Sequence, residues 1–530
     1  MRKFKKVTAA TVSIFMVLSM LTGCGSSSKK ESDTANSSDA VKKIKEISYL
    51  VWDRGTVPAD QGTIEDNWWT KYVNEKVAKL GIKVKFIPIP RAQESQKLPT
   101  MLAAGEAPDI CYSYDTALLN TYVKNGALTD FTDLFDKYGT NIKKVFSQKD
   151  IDIGKINGKL YSFKYKTMSV ADTTWIRKDW LDKLGMKEPT NLTEFYNMLK
   201  AFKEKDPGKV GDKLVPFAFP GDANYPFGIW ASICTPAFTS QAPSGDRLFE
   251  VMMPMWPETK DTMKFLNKLY NEKLMGEFIL DKDGSQFKQK VIRGEIGAFV
   301  QFAHWPYHNA YGNILENLQK NTPDAQLTAI TPWKDKSQEN YVQFVRNQPY
   351  GYTFFSPKSA KYPDLVMKYL DWFASDEGNK VAQFGIEGTD YNLADGIPKP
   401  IDDTKYQAKV PWVGPQYQSF INPFANDPEK FLKNQAKDFN PKYRDQYIKQ
   451  TIVGDKVKYY QPPLSESTPI TDKNTAPLAK KWVDMQVKIL TSSDKDFDKI
   501  FDDSIKTYKA EGGDDVAKEL GEAYKKQYGK

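Results

Sequence analysis

From Lys45 to Asp115 the chain alternates between two hydrophobic periods, and this alternation limits the fold more than any other feature. "EISYLVW" (Glu46–Trp52) is rich in β-formers and reads as a strand. "DNWWTKYVNEKVAKLG" then brings Trp69, Val73, Val77 and Leu80 onto one face at helical spacing, with Asp66 as the expected N-cap and Gly81 as the exit. "IKVKFIPI" alternates as a second strand. "ESQKLPTMLAAG" is helical in character, with Pro99 beginning or kinking it, and "PDICYSY" is a third strand. Strand, helix, strand, helix, strand at this spacing implies a parallel, doubly wound α/β sheet. Ligands of such sheets lie beyond the carboxyl ends of the strands, which puts Trp52–Thr56 and Tyr112–Asp115 on the ligand-facing edge.

The chain has 530 residues, more than one hydrophobic core normally supports, so at least two lobes are expected. "INGKLYSF" (Ile156–Phe163) reads as an extended segment leaving the first lobe. The stretch from Thr173 to Pro207 reads as a strand, a short helix ended by Gly185, and a longer helix capped by Thr190 or Thr193. A helix near Lys260–Asn271, strands at "IGAFVQF" and "YGYTFF", a helix pair from Tyr362 and a mostly helical tail from Ala476 to Tyr528 complete the pattern. There is no internal repeat.

The start of the chain carries an address. Residues 1–6 hold four basic side chains and no acid, residues 7–21 are mostly apolar, and Gly23 precedes Cys24. This is the order of a secretory signal peptide, and the apolar run is short for a spanning helix. "LTGC" resembles a bacterial lipobox, so residues 1–23 are expected to be removed and Cys24 to carry lipid. Residues 24–42 then form a lipidated cysteine and a flexible tether, "GSSSKKESDTANSSDA", too polar to build a core. The formal charge of +8 falls to +4 without residues 1–23 and shows no basic block, which argues against nucleic acid as a partner. Cys111 and Cys234 remain; buried single thiols are favoured over a disulfide, although spacing alone does not decide it.

Further stretches carry a family likeness: "MLAAGEAPDI", "GALTDFTDLFDKYG", "NGKLYSF", "WIRKDWLDKLGMKEPTNLTEFYNMLKAFKEKDP" and "IEGTDYNLADGIPKP", in this order after the lipobox. In them the chain resembles the extracellular solute-binding lipoproteins of carbohydrate ABC importers, family 1 type, in the branch that takes oligosaccharides. The resemblance runs from Cys24 to about Pro400 and is most specific between Thr100 and Pro207. It implies a two-lobe periplasmic-binding-protein-like fold, each lobe a doubly wound sheet flanked by helices, joined by a hinge. By this analogy residues 43–163 plus 350–405 form the N-terminal lobe and 164–349 plus 406–530 the C-terminal lobe. It further implies a monomer on the extracellular face of the bacterial cytoplasmic membrane that captures an oligosaccharide and passes it to membrane permease subunits, with no reaction and no cofactor. The alternative, a membrane-anchored glycoside hydrolase or lyase, needs paired carboxylates, which 67 acidic residues do not exclude, but no catalytic motif is recognisable.

A sugar site needs aromatic platforms for C–H faces and fixed polar groups for hydroxyls. Trp305 in "FAHWPYHNA" is the first platform candidate, placed in a loop where the resembled proteins stack a sugar. Trp52, Tyr114, Trp230, Tyr350 and Trp412 are further aromatic candidates, and Asp53, Arg54, Asp115 and Arg346 are polar ones. Trp175, Arg177 and Trp180 read as structural. Metal binding is not expected. His304 and His308 are separated by Pro306, "DKDGSQF" has Gly at its fourth position and Ile292 at its twelfth, and "KDPGKVGDKLVPF" keeps Asp206 and Asp212 without alternating oxygen ligands.

Overall fold

In the computed structural model, β1 (Lys45–Asp53) pairs in parallel with β2 (Ile82–Pro90), and α1 (Trp68–Ala78) connects them. The structure describes residues 44–529 except 169–171, 220–237, 239–244, 277–284, 308–311, 331–332, 334–342, 346–349, 437–438, 440–441, 446, 449–457, 461, 463 and 465–467. Trp69, Val73 and Val77 are buried on the sheet side of α1 as their spacing requires. The cap is Asn67, one residue later than expected. Its side chain accepts from the Trp69 and Thr70 amides, and Thr70 Oγ1 accepts from Asn67 N at 2.9 Å. Asp66 is instead exposed and pairs with Lys71 at 3.1 Å.

α2 (Glu94–Ala104) runs through Pro99 at the loss of one hydrogen bond and ends at Gly105 in the left-handed region, φ +71°. β3 (Cys111–Ser113) follows; Ile110, just before it, bridges Tyr49 in parallel, and α3 (Thr116–Lys124) leaves its far end. The chain departs along β4 (Ser162–Lys166). Next come β5 (Asp172–Arg177), α4 (Lys178–Leu184), α5 (Leu192–Lys205), β6 (Val215–Ala218), α6 (Thr259–Asn271), β7 (Ile296–Phe302) and β8 (Leu327–Ala329). The cap of α5 is Asn191, which accepts from Glu194 N at 3.0 Å, while the Glu194 carboxylate accepts from the Thr190 amide at 2.8 Å. Thr190 thus serves the helix start from outside, and Thr193 lies within it.

The return strand β9 (Tyr350–Phe355) runs antiparallel between β3 and β4. The first sheet therefore places β2, β1 and β3 side by side in parallel, then β9 against them, then β4. The second sheet has the order β8, β5, β7, β6, with only β6 and β7 parallel. The sheets are small and mixed rather than wholly parallel: β9 returns into the first from the other half of the chain, and β5 runs antiparallel to both of its neighbours in the second. Both faces of the second are covered, as in a doubly wound sheet. Trp175 and Phe299 point into one core, while their neighbours Ile176, Ala298 and Val300 point into another beneath α5, α6 and the late helices α7 (Pro469–Leu490), α8 (Phe497–Tyr508) and α9 (Asp514–Tyr528).

The first sheet has a separate core, which draws on residues 47–163 and 352–421. Trp412, Val413, Tyr417, Phe420 and Ile421, expected in the second lobe, pack here, and Tyr49 donates its hydroxyl to the Tyr417 carbonyl at 2.7 Å. The structural reading of Trp175, Arg177 and Trp180 agrees with their burial. Arg177 grips Asp179 with two hydrogen bonds of 2.8 and 2.7 Å and lies 4.8 Å over the Trp180 ring. Cys111 is a free, buried thiol, and Cys234 and Cys24 lie outside the described residues.

Candidate functional site

The first sheet ends in a row of aromatic and charged side chains. Parallel β1, β2 and β3 finish there at Trp52–Asp53, Pro90 and Ser113, β4 finishes at Tyr165–Lys166, and the opposed β9 starts there at Tyr350. Five strands therefore deliver their end residues to one edge, the position at which α/β sheets take ligands.

Trp52 is the centre of this edge but not its surface. It is fully buried, with Tyr112 against it at 4.6 Å, Tyr352 at 5.9 Å and Tyr114 stacked on it at 5.5 Å and 22°. Arg91 lies 4.2 Å over its ring and Arg54 5.4 Å. Tyr114, in contrast, is 55% exposed, so the ring a ligand can touch is Tyr114, with Trp52 as its backing. Burial raises the Tyr114 hydroxyl above its ordinary value, and the Arg54 and Arg91 guanidiniums oppose that rise. Tyr165 continues the row by stacking on Tyr352 at 4.8 Å and 12°. Gly351 lies between these rings, since a Cβ there would come within 2.9 Å of Tyr165 and 3.8 Å of Tyr114.

The polar candidates are held by backbone contacts. Arg54 N donates to Gln416 Oε1 and its Nε to the Pro415 carbonyl, both at 2.9 Å. Asp53 accepts from Gly55 N at 2.8 Å, and Asp115 N donates to Ser113 Oγ at 3.1 Å. Tyr350 donates its hydroxyl to Asp150, which also holds Lys166 at 2.7 Å. A second contact joins the two halves nearby. The Asn120 amide on α3 donates to both oxygens of Asp472 in the first turn of α7, at 3.1 and 3.2 Å. Burial raises the Asp472 carboxyl; the Asn120 bond opposes this, and the Glu519 and Asp115 carboxylates add to it.

The structure thus brings Trp52, Asp53, Arg54, Tyr114, Asp115 and Tyr350 to one edge and leaves other candidates elsewhere. Trp305 is 5% exposed in the core of the second sheet, against Phe287 and Phe299 at 5.7 Å each. The expectation of an open platform there does not match this packing. Trp412 is buried in the first core and donates Nε1 to the Ala408 carbonyl at 3.1 Å. Trp230 and Arg346 lie outside the described residues. Among the described residues no group of three or more His, Cys, Asp or Glu is placed to hold a metal ion. Glu94, Tyr165 and Gly351 are not singled out by the sequence, whereas Arg91, with Arg54 and Arg346, hints there at acidic sugars on charge alone. Arg91 and Tyr165 carried a usable signal, since each stands at the carboxyl end of a strand of the sheet.

Two separately cored α/β halves, joined by strands that cross between them beside an aromatic strand-end edge, define a bilobal ligand-binding protein. The chain belongs to the bacterial extracellular solute-binding protein family, whose family model matches residues 59–380. It is 23% identical over 535 residues to Lipoprotein LipO of Bacillus subtilis strain 168, covering 95% of this chain and 96% of that protein. It is 24% identical to the polygalacturonan/rhamnogalacturonan-binding protein YtcQ of the same strain, covering 85% and 87%. Among solved structures, an HMO-binding ABC-transporter-associated solute-binding protein from Bifidobacterium longum infantis superposes with a TM-score of 0.66 at 18% identity, over 91% of this chain and 99% of that one. The alginate-binding protein AlgQ2 superposes with a TM-score of 0.62 at 20% identity, over 92% and 100%. Membership places the chain among extracellular proteins. No helix among the described residues is long and apolar enough to cross a membrane.

Proposed function

We propose that this protein captures an oligosaccharide between its two lobes and delivers it to the permease subunits of an ABC importer, without chemical change to the sugar. The observation that carries the reading is Tyr114, an exposed ring backed by the fully buried Trp52 at the strand-end edge of the first sheet. A flat apolar face of this kind suits the C–H face of a sugar ring, and Asp53, Arg54, Asp115 and Arg91 stand around it for hydroxyls. The names of the relatives support the same class of cargo, since they include a polygalacturonan/rhamnogalacturonan-binding protein and a fructooligosaccharide ABC transporter substrate-binding protein.

The hinge of this proposal lies where the three crossings meet. Lys166 ends β4, Tyr350 begins β9, and Asn422 N donates to the Lys166 carbonyl at 2.7 Å. The first lobe on this reading comprises residues up to about 166 together with 350–421. Closure around a ligand that touches both lobes shifts the population toward the shut form. Cys24 serves as the lipid anchor and residues 25–42 as the tether that keeps the receptor near its permease, with the protein acting as a monomer.

The reading is tested by thermal shift of the full chain against a panel of oligosaccharides, followed by mass spectrometry of each sugar. At a hundredfold excess over Kd a ligand adds about 2.7 kcal/mol, or roughly 5–10 °C in Tm for lobes of this size. A shift with the sugar recovered intact is the expected result. A sugar recovered cleaved would turn the reading toward a hydrolase or lyase. Cys24→Ser should move the protein from the membrane fraction to the medium.

A further inference from the structure

The polar groups around Trp52 are unbalanced. Arg54 commits Nε to the Pro415 carbonyl, and Arg91 commits one Nη to Glu94 at 3.3 Å. The other N–H groups of both guanidiniums have no acceptor among the described residues, although both guanidiniums lie within 5.4 Å of the Trp52 ring. Trp52 Nε1 and Gln416 Nε2 are also buried without an acceptor among those residues. The nearby carboxylates do not match this supply. Asp53 takes the Gly55 amide, one oxygen of Glu94 takes Arg91, and Asp115 lies close enough to Asp472 to raise its carboxyl. Glu94 Oε1, beside Arg91, is a buried acceptor that lacks a donor among the described residues.

A sugar hydroxyl can accept from these donors, but it brings no charge to pair with the two guanidiniums. A carboxylate only accepts, matches the two-pronged edge of a guanidinium, and pairs with its charge. Arg91, 34% exposed and over the Trp52 ring, is held by Glu94, whose side chain is 5% exposed, and the pair spans the 3₁₀ turn Arg91–Gln93 that leads into α2. We infer that the oligosaccharide taken at this edge carries carboxylates, a uronate-containing chain, with Arg91 and Arg54 receiving them and Glu94 positioning Arg91. This rests on the oligosaccharide-binding reading above and names the cargo within it. Tyr114 supplies the ring contact, and the two arginines read the acid.

The test is calorimetric titration of the full chain with galacturonate, mannuronate and glucuronate trimers, each beside its neutral methyl ester, together with a set of neutral oligosaccharides. At least one acid should bind roughly tenfold or more tighter than its ester, with the preference shrinking as salt is added. Arg91→Gln and Arg54→Gln should each cut the acid-over-ester ratio several-fold, the acid losing much more affinity than the ester, with Tm nearly unchanged. Glu94→Gln should lower the same ratio, which a merely structural role would not move. Esters bound as tightly as acids, a ratio unchanged in both arginine variants, or binding of neutral sugars alone would overturn the inference and leave the oligosaccharide reading standing. If no sugar of either kind binds, both readings fall.

Discussion

Lys166 and Asp150 form an ion pair of 2.7 Å where the chain leaves its first sheet, and the same carboxylate accepts the Tyr350 hydroxyl from the strand that returns. Ser147 adds its amide and hydroxyl to that carboxylate, each at 2.7 Å. One buried acid therefore fastens the outgoing and returning strands to the helical turn Gln148–Asp152. Burial works against ionisation of Asp150, but Lys166, Tyr350 and Ser147 outweigh it and hold the carboxyl below its ordinary value. A lowered folded-state pKa means that the stabilisation is fully present above the unfolded value of about 3.9 and is lost as pH falls through the lower folded value. Asp150→Asn should therefore cost about 2–3 kcal/mol at pH 7 and flatten the loss of stability below about pH 4. Urea titrations of both proteins at pH 7 and pH 3.5 check this. Equal differences at the two pH values would remove the ion pair from the account.

Tyr114 and Trp52 touch face to face but should respond oppositely to truncation. Tyr114→Ala removes an exposed ring, so its Tm should hardly change while sugar affinity falls about three- to tenfold. Trp52→Ala empties a fully buried site beneath it and should cost about 3–5 kcal/mol of stability. Thermal melts and calorimetry on the two variants separate the roles. A Tyr114→Ala protein with unchanged affinity would take that ring out of the site.

For Trp305 the sequence and the structure lead to different experiments. Its loop position suggests a platform whose loss leaves the fold intact, yet the ring is packed between Phe287 and Phe299 in the core of the second sheet. Trp305→Ala should destabilise the protein by about 3–5 kcal/mol, and a drop of many degrees in Tm is the expected reading. A nearly unchanged Tm with lost sugar binding would restore the platform.

What sequence could and could not reveal follows from the range of the forces involved. The period of apolar residues is local, so β1, α1, β2, α2 and β3 were readable, as was the edge on which Trp52, Arg54 and Tyr114 stand. The caps shifted by a residue or so because Asp66 or Asn67, and Thr190 or Asn191, are near equals in capping chemistry, and backbone geometry chooses between them. Exposure of an aromatic ring depends on partners distant in sequence. Trp52 is covered by Arg91 and Tyr352 and Trp305 by Phe287, and no local pattern around either tryptophan announces those neighbours. The packing of residues 412–421 in the first core likewise rests on Tyr49 meeting Tyr417, a contact across 368 positions.

Lys164 gives a prediction of opposite sign to that of Asp150. It stands on β4 opposite Thr353 of β9, half-buried, with no ion pair or hydrogen bond to its ammonium among the described residues. Burial alone, uncompensated, pulls its pKa down to about 8. Between that value and the unfolded value of about 10.4 the unfolded chain binds more protons than the folded one, so stability rises with pH across this window. Below pH 8 the folded state carries the full cost of a poorly solvated charge. Lys164→Met removes the charge and keeps much of the length, so it should stabilise the protein by about 1–3 kcal/mol at pH 7, with the gain fading toward pH 10. Chemical denaturation at pH 7, 8.5 and 10 measures it. A variant less stable than the parent at pH 7 would mean that the ammonium has a partner in the folded chain after all.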